Sequence, residues 1–259
     1  MSPKRAARTL AAAGATALLL AAAPAALANT STISGSINPN HGRPGTPLAL
    51  TVNFTLDPTA GAIPGTLNRV IVQLPPQATD NGAMFPSCTA DQVNAAHGNG
   101  RLCPKGSKIG IGNIRADVPP IPISNVPATA EFFNGKGGKS ITILVHVTNP
   151  VTLDVAFDAP IVHTSGRYGY KLTANLPYIL QELNGEGGGY FDAVRKFTAT
   201  INAKIKVRGR TRGYIEAKRC PKSGKAPIAG QFSFLDNTAQ EPGVDHSSTS
   251  ATGTITCKP

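Results

Sequence analysis

The chain has 259 residues, of which 41% are hydrophobic, 15% are charged and 5% are aromatic, with no tryptophan and a formal net charge of +11. Glycine and proline are numerous, at 27 and 22 residues. This composition is too apolar and too weakly charged for a disordered tail. A chain of this length can bury one large core or two small ones.

Residues 1–28 predict an export signal rather than part of the fold. Three basic residues precede an apolar run over 10–23, and Ala-Leu-Ala at 26–28 has the small side chains of a cleavage site. The run is shorter than the roughly 20 apolar residues that a membrane span needs. No cysteine follows the cleavage site to carry a lipid anchor. The sequence therefore predicts a secreted, extracellular or cell-wall-associated protein over 29–259, without a membrane span.

The rest of the chain has hydrophobic residues with period two, in short β-branched runs bounded by proline, glycine and asparagine. This pattern predicts an all-β fold, an antiparallel β-sandwich with one solvent-exposed face per sheet. No helical pattern of a dozen residues interrupts it, which argues against a parallel α/β fold. The runs are 48–56, 67–74, 109–118, 128–133, 141–147, 153–157, 168–174, 198–207, 213–217, 231–235 and 251–257.

Two short helices are predicted between these strands. Thr89 and Gln92 have the spacing of a capping box, and Gly98 stands where a glycine ends a helix, so the first helix covers about 89–97. The second covers 177–183.

Two segments could divide the chain internally. Four prolines lie within 119–127, and glycines cluster within 184–190. We favour a single domain, with a two-lobed sandwich as the alternative. The glycine cluster is interpreted as a surface connection, with a mobile binding loop as its alternative.

The four cysteines, Cys88, Cys103, Cys220 and Cys257, all follow the export signal. An even number in an oxidising compartment favours two disulfides. Four cysteines allow three pairings, and proximity in the sequence favours Cys88–Cys103 and Cys220–Cys257. A structural zinc site is the alternative, but no CxxC or HxxxH spacing supports it.

Several of these segments carry a recurring combination of cysteine, proline and glycine. They are FPSC at 85–88, CPKGSKIGIG at 103–112, GYIEAKRCP at 213–221, and the closing QFSFLDNTAQ with TITC. The combination resembles a loosely defined group of exported actinobacterial proteins of unassigned function, over most of 67–118 and 205–257. The resemblance implies the β-sandwich fold and the disulfide pairing, and it implies no activity.

Positive charge is concentrated in one segment. Residues 195–225 hold eleven basic side chains and one acid, Glu216. Within this segment five basic residues alternate along the chain. On a continuous strand all five project from one face, whereas a bend at Gly209 or Gly213 turns the last two away. The five are Lys204, Lys206, Arg208, Arg210 and Arg212.

These alternating cations are a candidate site for a polyanion, either an anionic cell-wall polymer or lipid headgroups. The alternative interpretation is a solvated face whose charges prevent edge-to-edge pairing of strands. No aromatic residues are interleaved for base stacking, which argues against nucleic acid.

The sequence predicts no catalytic, metal or cofactor site, because it lacks GxSxG, SxxK, HExxH and phosphate-binding glycine motifs. His146 and His163 lie near Asp154 and Asp158 in the sequence and could meet on neighbouring strands. The alternative is a set of solvent-facing polar positions. Three tyrosines are candidates for a sugar-binding platform, with core packing as the alternative: Tyr168, Tyr170 and Tyr190.

The sequence therefore favours an exported, non-catalytic binding or structural module of the cell envelope that needs no cofactor. A hydrolase with an unrecognised site and a carbohydrate-binding module are the alternatives.

Overall fold

The computed structural model describes residues 30–58, 65–119, 121–182, 191–235 and 247–258. The predicted export signal and the glycine cluster at 184–190 lie outside the described residues. Tyr190 lies outside them as well.

The described residues form fifteen strands, two short α-helices and three single turns of 3-10 helix. The strands are β1 (Thr30–Asn38), β2 (Pro47–Asp57), β3 (Thr66–Leu74), β4 (Ala78–Asp80), β5 (Lys108–Val118), β6 (Ile123–Asn134), β7 (Ser140–Val147), β8 (Leu153–His163), β9 (Tyr170–Asn175), β10 (Ala193–Ile201), β11 (Lys204–Val207), β12 (Arg210–Gly213), β13 (Ile215–Ala217), β14 (Lys225–Leu235) and β15 (Ser247–Thr256). The helices are α1 (Ala90–Ala95) and α2 (Tyr178–Gln181), within the two segments that the sequence predicts to be helical.

Eleven of the strands form a closed barrel, in the order β1-β15-β14-β3-β9-β8-β7-β6-β5-β10-β2 and back to β1. Strand β1 closes it, because it pairs antiparallel with β2 over nine residues and parallel with β15 at Gly35 and Ile255. The predicted β-sandwich, with one or two lobes, is therefore wrong. A sandwich and a barrel share the period of two, and only the pairing of the first strand with the last distinguishes them.

The barrel has two ends, which are named here by the strand residues that reach them. Asn38, Asn134 and Ile201 mark the upper end, and Asp57 and Ala193 mark the lower end. Short strands β13 and β4 continue the sheet from the upper end of β2. Residues 119–127, one of the two segments considered as a lobe boundary, include the connection between β5 and β6, which pair with each other in the wall.

A second, smaller core lies on the outer face of β6, β7 and β8. The segment from Cys88 to Cys103 covers this face, and the disulfide between these two cysteines closes it. The capping box of Thr89 and Gln92 starts α1. This cover explains why the middle of β7, from Thr142 to Val145, is buried on both faces. The buried residues beneath it are Cys88, Val93, Phe133, Leu144 and Ala156.

The second disulfide joins Cys220, after β13, to Cys257, after β15. It lies at the upper end of the barrel. These two disulfides are the pairings that proximity in the sequence favours. Each removes conformational freedom from the unfolded chain, by about 3 kcal/mol for a loop of some 15 residues on the chain-entropy estimate.

Asn134, at the upper end of β6, holds the turns that cover this end of the barrel. Its side chain is fully buried, and its Nδ2 donates to the carbonyls of Gly82 and Phe85 at 3.0 Å and of Pro86 at 3.2 Å. Its Oδ1 accepts a hydrogen bond from the Tyr214 hydroxyl at 3.3 Å. One amide therefore satisfies the polar groups of two separate segments.

We expect Asn134→Leu to destabilise the fold by about 3 kcal/mol, because buried carbonyls and the Tyr214 hydroxyl lose their partner while the branching of the side chain is kept. Tyr214→Phe should cost only about 1 kcal/mol, because it removes one hydroxyl and leaves the three bonds of Nδ2. Urea unfolding of the two variants measures the difference. Equal losses would show that Asn134 is not the shared partner.

Candidate functional site

The interior of the barrel contains a cavity of about 270 Å³. Its volume is close to the lower end of the roughly 300–1,000 Å³ range of small-molecule sites. The reason for the cavity is the strand number, since side chains can just fill a barrel of about eight strands and a wider one keeps unfilled space. The lining is predominantly apolar and includes Leu50, Val52, Phe54, Val70, Val72, Phe132, Ile143, Val145, Phe157, Phe197 and Ala199.

The period of two along each strand aims these side chains inward. On β7, Ile143 and Val145 line the cavity, while Leu144 points to the outer core. On neighbouring strands β2 and β10, Phe54 and Phe197 pair in register and their rings stack at 4.8 Å. The inward faces are therefore the hydrophobic ones, and they surround the cavity from several sides.

Gly112 of β5 makes room for the ring of Phe132, which also lines the cavity. A Cβ on Gly112 would lie 2.7 Å from the Thr198 carbonyl oxygen and 3.0 Å from the Phe132 ring. Only glycine allows the ring to lie this close to β5. The IGIG sequence of 109–112 therefore has a packing role in the wall of the cavity.

The cavity reaches the surface at the upper end of the barrel, because exposed residues take part in its lining there. They are Asn40, His41, Gly42 and Lys258, whereas Pro150 is an exposed lining residue at the lower end. The Cys220–Cys257 disulfide and Gln77 also line the upper end. We call this region the mouth.

The Gln77 side chain at the mouth has a buried Oε1 that makes no hydrogen bond within the part of the chain that the structure describes. A buried polar atom without a partner is costly. Rotation of the amide by 180° places Nε2 at the same position. Among the described residues, the amide is therefore a polar group without a partner beside the mouth, and it reaches a ligand only when its side chain turns towards the opening.

Exposed cations surround the mouth. Lys218 donates its backbone N–H to the Gln77 carbonyl at 2.9 Å, and Arg219 precedes Cys220 of the lining. Lys258 donates its backbone N–H to the Asn40 carbonyl at 2.7 Å. Among the described residues, none of these three cations forms an ion pair.

Asp80 lines the cavity near the same end, but its carboxyl is half-buried. Burial raises its pKa, although the carboxyl accepts a hydrogen bond from the Gly82 N–H at 2.8 Å. Tyr170 lies beside it, donates its hydroxyl to the Ala78 carbonyl at 2.9 Å, and has its pKa raised by burial as well. Burial thus favours the neutral forms of both groups.

Asp192 lines the cavity at the lower end. Burial raises the pKa of its carboxyl to about 7, and the negative charge of Asp117 adds to the shift. Asp117 itself is held by Arg195, whose Nη1 lies 2.8 Å from its Oδ2. The other guanidinium nitrogens bind Asp57 at 2.9 Å and the Leu56 carbonyl at 2.8 Å, so Arg195 ties three strands together.

The raised pKa of Asp192 predicts how stability depends on pH. Between about pH 4 and pH 7 the folded chain holds a proton that the unfolded chain has released, so the free energy of unfolding falls as the pH rises through this window. Asp192→Asn should remove most of this fall, and Asp80, whose pKa is also raised, should account for part of the remainder. Urea unfolding at about pH 5 and about pH 8 measures how much the free energy of unfolding changes between the two pH values. Asp91→Asn, on the surface of α1, is the control and should retain the parent dependence.

The alternating cations do not share one face. Strands β11 and β12 form a hairpin, with Arg208 and Gly209 at its turn at φ +49° and +77°. Lys204 and Lys206 lie on one face, whereas Arg210 pairs with Val207 on the other. Of the two arrangements that the sequence left open, the structure has the bend at Gly209, because the two-residue turn shifts the alternation by one residue.

Arg212 is not available to bind a polyanion either. Its Nη2 lies 2.8 Å from Oε2 of Glu216, which is only 2% exposed and accepts the Gly213 N–H at 3.0 Å. Arg212 therefore neutralises a buried carboxylate. The remaining exposed cations of the hairpin are Lys204, Lys206, Arg208 and Arg210.

If the hairpin binds polyanions, replacing Lys204 and Lys206 by Gln should weaken retention on heparin and lower its salt dependence, because fewer counterions are released. The fold should be unaffected, since exposed charges contribute from near zero to about 1 kcal/mol each. Arg212→Gln should instead destabilise the fold by about 2 kcal/mol, because Glu216 loses its charged partner. Unchanged retention of the lysine variant at low salt would reject a polyanion site here.

The histidine candidates are only partly brought together. His146 and Asp154 face each other across β7 and β8, with Nδ1 and Oδ1 2.5 Å apart. They lie on the outer face, whereas the ring of His163 packs at the upper end against that of Tyr170, tilted by 56° with the ring centres 4.8 Å apart. Asp158 accepts a hydrogen bond from Thr142 instead. Within the described ranges, no group of three or more His, Cys, Asp or Glu could hold a metal ion.

The tyrosine candidates are separated as well. Tyr170 is buried and lines the cavity, so its ring is not an exposed platform. Tyr168 precedes β9, and the Arg167 guanidinium lies 5.7 Å from its ring centre. These two candidates therefore do not form an exposed platform together.

The sequence analysis missed the cavity and Asp192. The available signal was the number of period-two runs, which is more than a small sandwich uses, together with inward glycines in 109–112. No signal in the sequence marks Asp192, because its pKa depends on burial among distant strands.

Comparison with known proteins gives no family for this chain. No protein-family model matches it, and no curated protein matches it. Among solved structures it is similar to one described as "AvmM Catalyzes Macrocyclization in Alchivemycin A Biosynthesis", over 88% of this chain and 90% of that one. The sequence identity is 11% and the TM-score is 0.29. A TM-score this low carries no argument about function.

Proposed function

We propose that this protein is an exported, non-catalytic binding module that encloses an apolar small molecule in its barrel. The observation that carries the proposal is the cavity of about 270 Å³, lined by aromatic and aliphatic side chains and reaching the surface at the mouth. An unfilled apolar cavity lacks the contacts that a packed core makes, so a ligand that restores them is favoured.

An apolar ligand fits this cavity for two reasons. Each Å² of apolar surface that leaves water contributes about 25 cal/mol, and the ligand and the lining both lose such surface. A polar ligand would instead leave water for walls with few hydrogen-bonding groups. The polar groups that the cavity does offer lie at its two ends, at Gln77 and Asp80 above and at Asp192 below.

A binding role is favoured over hydrolysis by the position of the polar groups. His146 and Asp154 are within hydrogen-bonding distance, but they lie on the outer face of the barrel wall. Asp80 and Asp192 line opposite ends of the cavity and so do not converge on one bond of a ligand. Hydrolysis needs a base and an oxyanion donor close to the same atom.

Export is supported by the two disulfides, which persist in oxidising compartments. None of the helices in the described ranges is long and apolar enough to cross a membrane. We also propose a location in the cell envelope. Apolar molecules that move there from one surface to another must pass through water.

The neutral dye N-phenyl-1-naphthylamine tests the cavity, because its fluorescence rises in apolar surroundings. We expect the parent to bind it, and Ala199→Phe to weaken binding at least about tenfold, or about 1.4 kcal/mol. Ala199 is buried and lines the cavity, so the added ring occupies the ligand's space.

The matched control is Ile111→Phe on strand β5, because Ile111 is 57% exposed on the outside of the barrel. It should bind the dye like the parent. Thermal unfolding checks that both variants are folded. A parent that binds no dye, or a folded Ala199→Phe variant that binds it unchanged, would contradict the proposal.

A further inference from the structure

We infer that the ligand is an amphiphile with an anionic headgroup, held with its apolar chain in the barrel and its headgroup at the mouth. This inference rests on the proposed function, and it names the ligand class. It is carried by the position of the unpaired cations relative to the cavity.

The mouth combines an apolar interior with positive charge at the surface. Lys258 is exposed and lines the cavity, while Lys218 and Arg219 adjoin the lining residues Gln77 and Cys220. None of the three cations forms an ion pair within the described part of the chain. Solvated cations next to an apolar surface attract an anion, and the low-dielectric wall strengthens this attraction.

The acidic groups of the upper end do not cancel this charge. Glu216 is buried against Arg212, and Glu131 is paired with Lys108. Asp80 lines the cavity, but it brings one negative charge at most against the three cations of the mouth. Among the described residues, the upper end therefore keeps a positive excess at the place where the cavity opens.

The lower end has the opposite character. Asp192 lines the cavity there, and Asp117 lies near enough to influence its charge. Arg195 at this end is already held by two carboxylates. The exposed Lys196 and Arg115 also lie towards this end, but neither lines the cavity. An anionic headgroup is therefore attracted at the mouth and repelled at the lower end. The same asymmetry orients an amphiphile with its chain pointing down the barrel.

Gln77 provides an independent polar contact at the mouth. Its buried Oε1 lacks a partner within the described residues, and the amide can turn to present Nε2. A carboxylate or phosphate oxygen at the mouth would accept this N–H once the Gln77 side chain turns towards the opening. A carboxylate and a phosphate share the chemistry that these groups recognise, so the test includes both.

The experiment measures displacement of N-phenyl-1-naphthylamine by decanoate, decyl phosphate and decanol, which share one chain and differ in the headgroup. We expect the parent to bind at least one of the two anions about tenfold more tightly than the alcohol. A variant with Lys218→Gln, Arg219→Gln and Lys258→Gln should lose this preference and keep its affinity for decanol. The preferred anion identifies the headgroup.

The matched control carries Lys204→Gln, Lys206→Gln and Arg208→Gln, which remove the same three charges from the hairpin. It should keep the preference for the anion, because these residues neither line the cavity nor adjoin a lining residue in the sequence. Loss of the preference in both variants would show a general charge effect and would overturn the inference.

The remaining outcomes separate the inference from the proposed function. If the dye binds but decanol binds the parent as tightly as both anions, the headgroup site is wrong and the apolar cavity stands. If the mouth variant is folded and keeps the preference, the inference is also wrong. If neither the dye nor any decyl compound binds the parent, the proposed function itself fails.

Discussion

The width of an eleven-stranded barrel is the constraint on which the rest of the structure depends. A closed sheet has no free edge, but its diameter grows with the number of strands. Here the inward residues are mostly of ordinary size, such as Val70, Val145 and Ala199, and they leave a cavity of about 270 Å³. Closure and an unfilled interior are thus two results of the same geometry. The functional hypothesis follows from the second.

The unfilled interior lowers the stability of the fold, and this explains why the stabilising contacts lie around it. The wall lacks the packing contacts that a filled core would supply. Asn134 binds two segments at the upper end, the Cys220–Cys257 disulfide joins the chain beside the mouth, and Arg195 ties three strands at the lower end. The Cys88–Cys103 segment adds a second core outside the wall. The stabilising contacts therefore surround the cavity and leave its interior free.

The sequence predicted the local structure well and the closure poorly. The period-two runs, the capping box at Thr89 and the positions of both short helices depend on neighbouring residues, and the structure has them. The barrel depends on β1 meeting β15, which are far apart in the chain. The hairpin depends on left-handed backbone at Arg208, a residue type that seldom adopts it. The pKa of Asp192 depends on distant strands, so no local pattern reveals it.

The same chain segment supplies cations to two different surfaces. The hairpin carries Lys204 and Lys206 away from the cavity, whereas Lys218 and Arg219 follow β13 back to the mouth. The basic residues of 195–225 therefore lie on two different surfaces, which the composition of the segment does not distinguish. Only the cations at the mouth adjoin apolar surface, where an anion and an apolar chain can be bound together. The hairpin offers charge without such a surface, so it can attract a polymer but cannot enclose a ligand. Under our proposal, this difference makes the mouth the more selective of the two candidate sites.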